Sequence, residues 1–197
     1  MNTRTPVHIT IGSGKMIDIT SVNVSSQENT FCQSMVKAKN TVCTKCYSNR
    51  YSKMRPSLEK RLIENSKVLS EQLLSKTEIP LFNARYVRFN SFGEIINDTH
   101  YKNLIAIAQE NPHTVFGLWT KRSDIVMKYH KIKNIKYIYS AAQIDSNKAP
   151  DKAIKFFDKV FTVMKENTSE INCHGKCIDC LLCYSDNNTK FINEKLK

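Results

Sequence analysis

The sequence predicts an α/β protein: about five to six parallel strands joined by helices and arranged as a partial (β/α) barrel. Three observations carry that reading. Beyond residue 55, segments of helical and strand periodicity alternate, the signature of a parallel sheet with right-handed crossovers. Upstream, two short strand-like stretches meet at a Gly-Ser-Gly turn. The chain has 197 residues, fewer than the roughly 250 a complete eight-fold barrel uses. An open doubly wound sheet is the alternative.

The elements follow in order. VHITIG and KMIDITSVNV read as a hairpin turning at residues 12–14, and its second arm is the first strand of the sheet. RPSLEKRLIENSKVLSEQLLSK (55–76) is the longest predicted helix, begun by Pro56 and carrying Leu58, Leu62, Leu69 and Leu73 on one face. RYVRFN (85–90) is a strand. A helix over 99–111 follows, with a Thr99 cap and a stripe of Tyr101, Leu104, Ile105 and Ala108. HTVFGLW (113–119), IKYIYS (135–140) and VFTVM (160–164) are strands, separated by helices over 123–131 and 150–159. No linker or repeat divides the chain, so 1–197 is one domain. Within it, 1–24 is the hairpin and first strand, 25–54 a cysteine loop, 55–166 the alternating body and 167–197 a cysteine-rich tail.

Composition narrows the class. A mean hydropathy of −0.42 and 41% apolar residues describe an ordinary water-soluble domain. No run approaches the ~18 apolar residues of a membrane span, and MNTRTPVHIT lacks a secretory pattern. The expected location is the cytoplasm, with no membrane partner. The net charge of +12 suits nucleic acid or an acidic host protein as partner. An AT-rich coding bias toward Lys and Asn accounts for the same charge.

Seven cysteines are many for a reducing compartment, and an odd number does not close a disulfide set. They fall as Cys32, Cys43 and Cys46, then Cys173, Cys177, Cys180 and Cys183. Such bunching predicts metal ligation by all seven. In either architecture ligands bind beyond the carboxyl ends of the strands. That rule brings the first three cysteines together with Asn90, Ser91, Gly93 and Glu94, with Thr120, Lys121 and Arg122, with Ser140, Gln143 and Asp145, and with the tail. Gly93, Glu94, Thr120, Lys121 and Arg122 are the candidate residues for a small-molecule ligand there. The cations Lys121 and Arg122 suit a phosphate or carboxylate. Zinc is one reading of the cysteines, through paired C-x2-C knuckles. The tail's C-x3-C-x2-C-x2-C steps match iron–sulfur ligand runs, giving one or two four-iron–four-sulfur clusters. His174, inside that run, is a further candidate ligand. The GSGK at 12–15 lacks the spacing of a nucleotide phosphate loop.

Cys43-Thr-Lys-Cys46-Tyr47 after the first strand, with Phe92-Gly93-Glu94 after the second, resembles the radical S-adenosylmethionine enzymes. Their usual cysteine spacing is C-x3-C-x2-C, whereas this loop is C-x10-C-x2-C, and the usual spacing occurs here at Cys173, Cys177 and Cys180. A wider resemblance is to the phage gene product 88 family. It rests on Cys32, Cys43 to Tyr47, Ser91 to Glu94, Trp119-Thr120-Lys121, and Gly175 through Tyr184, in that order. Tyr184 stands where that pattern has tryptophan, and Glu94 where it has aspartate. The resemblance implies a phage-encoded iron–sulfur protein in the host cytoplasm, on a barrel like that of the radical enzymes. Two functions follow: a radical or redox enzyme, with S-adenosylmethionine as a possible cofactor, or a zinc- or cluster-stapled basic module that binds nucleic acid or a host protein.

Overall fold

The computed structural model describes residues 5–146, 149–166 and 169–196. The predicted segment 1–24 thus has its first four residues outside the described part, as the tail has residues 167, 168 and 197. One seven-stranded sheet organises the chain, its strands lying side by side in chain order. They are β1 (Ile9–Ile11), β2 (Thr20–Val22), β3 (Tyr86–Phe89), β4 (Val115–Thr120), β5 (Ile135–Ser140), β6 (Lys159–Met164) and β7 (Phe191–Lys195). β1 and β2 pair antiparallel; every later pairing is parallel. The order never reverses, so the sheet lacks the switch point of a doubly wound fold.

The helices are α1 (Thr30–Lys37), α2 (Tyr47–Met54), α3 (Pro56–Glu71), α4 (Asp98–Glu110), α5 (Ser123–Val126), α6 (Asp151–Phe156) and α7 (Cys177–Cys180). α1 and α2 arise inside the predicted cysteine loop, and β7 inside the predicted tail. α3 stops at Glu71, leaving Leu73 61% exposed instead of on the buried face. Asn97, not Thr99, caps α4: its side chain accepts a hydrogen bond from the His100 amide. α5 keeps only the first turn of the predicted 123–131 helix.

Alternation along the strands gives the sheet two different faces. Val87, Phe89, Phe116, Leu118 and Tyr137 pack with Leu69, Tyr101, Leu104 and Ile107 from the helices into the main core. The opposite face carries Ile19, Trp119 and Ile138, and the tail covers it: Tyr184 is buried there, with Cys177, Leu181 and Cys183 packed around it. Gly117 permits this cover. A Cβ at that position would lie 2.6 Å from the Trp119 ring and 2.8 Å from the Tyr184 ring.

The sheet also curls. Lys15, in the β1–β2 connection at one edge, donates a 2.9 Å hydrogen bond to Glu194 of β7 at the other edge. One side chain therefore spans the gap between first and last strands. No helix among the described residues is long and apolar enough to cross a membrane.

Candidate metal centre

The upstream thiols sit on the segment between β2 and α3. Asn29 begins it: its Oδ1 accepts from the Cys32 amide at 3.2 Å while its Nδ2 donates to the Glu94 carbonyl at 2.8 Å. Cys43 lies within a 3-10 turn (Val42–Lys45) and Cys46 closes it, with the Cys46 amide donating to the Cys43 carbonyl. That turn is tied across the mouth of the sheet. Thr41 bridges Gln143, and the Val42 amide donates to the Ala142 carbonyl at 2.8 Å, beyond the end of β5. Tyr47, directly after Cys46, donates its hydroxyl to the Ser91 carbonyl and meets the Phe92 ring edge-on at 5.7 Å. The cysteine loop thus lies over the carboxyl ends of β2, β3 and β5.

Burial pushes the Cys32 and Cys43 thiols above their ordinary range. The nearby Glu94 carboxylate adds to this, and the Lys121 ammonium opposes it. Cys32, Cys43, Cys46, Glu94 and Lys121 therefore share one electrostatic neighbourhood. Protonated thiols are poor ligands, so a cation here would work by displacing protons.

The five ligand candidates fall into different uses. Glu94 is buried, and its carboxylate accepts from Thr120 Oγ1 (2.6 Å), the Ile95 amide (2.9 Å) and the Lys121 amide (2.8 Å). It joins the loop after β3 to the end of β4. Thr120, fully buried, also accepts from the Arg122 amide. Arg122 is engaged within the chain: Nε and Nη2 grip Asp124, and Nη1 donates to the Ile95 and Ile96 carbonyls. Gly93, at φ +75°, is required by close approach, since a Cβ would lie 2.6 Å from Val24 Cγ2. Lys121 Nζ donates to Ser140 Oγ at 2.9 Å and faces the thiols. Of the five, Lys121 has the most open chemistry.

The four tail cysteines line a cavity, on the concave face, with Lys15, His174 and Trp119. α7 spans Cys177 to Cys180. Leu181, left-handed at φ 47°, then turns the chain so that Cys183 and Tyr184 come back onto the sheet. Burial raises the Cys173, Cys177 and Cys183 thiols, Cys183 to about 12. Lys15 Nζ donates to Cys173 Sγ at 3.1 Å and favours its thiolate.

Arg88 projects from β3 into the same region. Its guanidinium lies 4.0 Å from the Trp119 ring centroid and interacts electrostatically with Cys177 and Cys183. Its Nε is buried without a hydrogen-bond partner. Among the described residues it forms no ion pair. A half-buried cation that faces thiols, with no carboxylate, matches a site for an anionic thiolate-bound group.

The seven thiols thus divide three and four. In number and kind each set suits thiolate-seeking metal chemistry. As placed, no three His, Cys, Asp or Glu side chains among the described residues converge on a single metal position. Sequence reasoning missed Lys15 and Arg88. Lys15 hides in an ordinary turn. Arg88 had a signal: in YVRF it alternates with Val87 and Phe89, which puts it on the face away from the apolar core.

A family model described as Gene product 88 matches residues 3–190. No curated protein and no solved structure matches the chain.

Proposed function

We propose that the chain, which belongs to the gene product 88 family, is a phage-encoded iron–sulfur protein of the host cytoplasm. Cys173, Cys177, Cys180 and Cys183 would hold one four-iron–four-sulfur cluster with every iron ligated by the chain. Cys32, Cys43 and Cys46 would hold a second with one iron left open. The single observation that carries this reading is the three-plus-four division of the thiols, with Cys177 and Cys183 of the larger set in electrostatic reach of Arg88, which forms no ion pair among the described residues. A thiolate-bound cubane is anionic and supplies the countercharge Arg88 lacks.

The finer fold reading is a partial (β/α) barrel of the radical S-adenosylmethionine kind. Strands in unbroken chain order and the Lys15–Glu194 link across the edges support it. When bound, such clusters supply one-electron redox chemistry, and an open iron can chelate a small molecule such as S-adenosylmethionine. The chain's own residues then have defined tasks. Glu94 and Thr120 fix the loop geometry at the strand ends. Lys121 presents a cation to an acidic ligand group. Tyr47 and Phe92 cover the cysteine turn, and the tail shields the concave face from water.

The test is anaerobic purification with iron, acid-labile sulfide and zinc measured per chain. Roughly eight irons and eight sulfides are expected. Cys183→Ser and Cys43→Ser should each remove about half while the helical circular dichroism is retained. A colourless protein with stoichiometric zinc overturns the reading. About four irons, lost together in both variants, replaces it with one cluster shared between the two sets. If eight irons are present, perturbation of the reduced protein's spectrum by S-adenosylmethionine tests the open iron.

A further inference from the structure

The segment that carries the three upstream thiols has an unusual charge. From Asn29 to Leu58 there is no Asp or Glu, and there are six cations: Lys37, Lys39, Lys45, Arg50, Lys53 and Arg55. All six are exposed. None enters an ion pair among the described residues, and no acid of their own segment lies near enough in sequence to supply one. The segment is the longest acid-free run in the sequence; the next, 125–144, has four lysines, and three of them, Lys128, Lys131 and Lys136, pair with Asp98, Asp158 and Asp186 from other segments.

Exposed aromatic surface lies among these charges. On α2, Tyr51 is 40% exposed, with the Arg50 and Arg55 guanidiniums 5.7 and 5.2 Å from its ring centroid. Met54, one turn away, is 74% exposed, and Tyr47 at the start of the helix is 48% exposed. α2 turns only small polar groups inward, Ser48 and Ser52. It therefore leaves Tyr51, Met54 and its cationic side chains outward, while Tyr47 leans on Phe92.

We infer that α2 and its flanks form a docking surface for single-stranded nucleic acid beside the candidate metal centre. Phosphates would lie along the unpaired cations, and bases would stack on Tyr51 and on the arginine planes, a pairing every base can make. A lipid surface would use the charge but not the ring and arginine stack. An acidic protein would have no need of flat, exposed stacking groups. The inference is independent of the metal reading, since the cations and the ring are present whichever ion the thiols take.

The experiment uses the full-length protein with its metal, and fluorescein-labelled 20-nucleotide single strands of mixed sequence. Anisotropy is followed from about 50 to 300 mM salt. Three to six phosphate contacts predict that log K falls with log salt at a slope of about −2 to −4. Arg50→Gln/Lys53→Gln/Arg55→Gln should weaken binding by at least about tenfold and flatten the slope by about 2. Tyr51→Ala should weaken it by about tenfold at unchanged charge. An equal loss of charge elsewhere, Lys102→Gln/Lys152→Gln/Lys155→Gln, should leave it within about twofold. Metal content is measured for each variant, so a lost cluster and a lost interaction are told apart. No saturable binding at low salt overturns the inference. So does equal weakening by the control triple, which would mean diffuse charge, and so does an unchanged Tyr51→Ala, which would mean no stacking. Capture by anionic phosphatidylserine vesicles in place of the oligonucleotide overturns it in favour of a membrane surface.

Discussion

Asparagine does the joinery in this molecule. Asn103 is buried; its Nδ2 donates to the Leu69 and Gln72 carbonyls while its Oδ1 accepts from the Leu74 amide, which fastens the frayed end of α3. Asn111 holds Pro80, Phe82 and Ile107 in the same way, and Asn65 holds both backbone groups of His8 and the Asn23 carbonyl. Each amide satisfies irregular backbone that has no ladder or helix to bond to. Asn103→Ala should leave two buried groups and one half-buried carbonyl unpaired and lower stability by about 2–4 kcal/mol. Asn103→Asp keeps the acceptor but loses both donors, so it should rescue little. Equilibrium urea unfolding measures both, and a loss under about 1 kcal/mol would remove Asn103 from this role. None of this was legible in the sequence, where abundant Asn reads as coding bias. A side-chain amide announces its partners only when the fold brings them close.

At the scale of elements, legibility followed periodicity. β3, β4, β5 and β6 lie within two residues of expectation because β-branched and aromatic residues mark them clearly. α2 was invisible, since YSNRYSKM buries two serines and has no apolar stripe. β7 was read as tail because FINEK is short and its burial is uneven, with Phe191 37% exposed. α4 carries a titrating group that sequence position alone would have called ordinary. His100 is fully buried, its Nδ1 accepts from the Ile96 amide, and burial depresses its pKa to about 3. Its folded pKa lies below the unfolded value near 6.5. The unfolded state therefore binds the extra proton between those limits. The resulting destabilisation begins as pH falls below about 6.5 and grows by up to about 1.4 kcal/mol per pH unit until pH 3. Urea unfolding of wild type and His100→Gln from pH 7 to 4, at matched metal content, isolates that one proton. The wild type should lose stability more steeply; parallel acid limbs would mean that His100 does not bury neutral.

For the whole molecule, the informative feature is how a sheet with two edges protects its concave face. The helices cover one side. Among the described residues the other is covered by the tail, with Met16 of the β1–β2 connection, and the tail reaches the sheet through Tyr184 on Trp119, at 5.7 Å between rings, and through Lys15. Lys15 links three parts of the chain: it donates to the Cys173 carbonyl and sulfur and to Glu194 of β7, from a connection at the opposite edge. Burial works against its charge, but the bonds to Glu194 and Cys173 outweigh that and hold its pKa above the ordinary lysine range. Removing the ammonium therefore costs more than one exposed ion pair, because it breaks the bonds to Cys173 and to Glu194 together, and the Glu194 side chain is only about a quarter exposed. Lys15→Met should loosen the tail and β7 while sparing the helix-side core, where Phe89, Phe116 and Tyr101 are fully buried. Hydrogen exchange followed by mass spectrometry should show residues 173–186 and 191–195 exchanging about tenfold faster, equivalent to ~1.4 kcal/mol of local stability, with β3 to β5 unchanged. Because the two side chains share one bond, Lys15→Met/Glu194→Met should lose less protection than the sum of the two single variants. Faster exchange spread evenly over the sheet would show instead that edge, tail and core open as one unit, so that the Lys15 link is part of global stability and not a separate clasp.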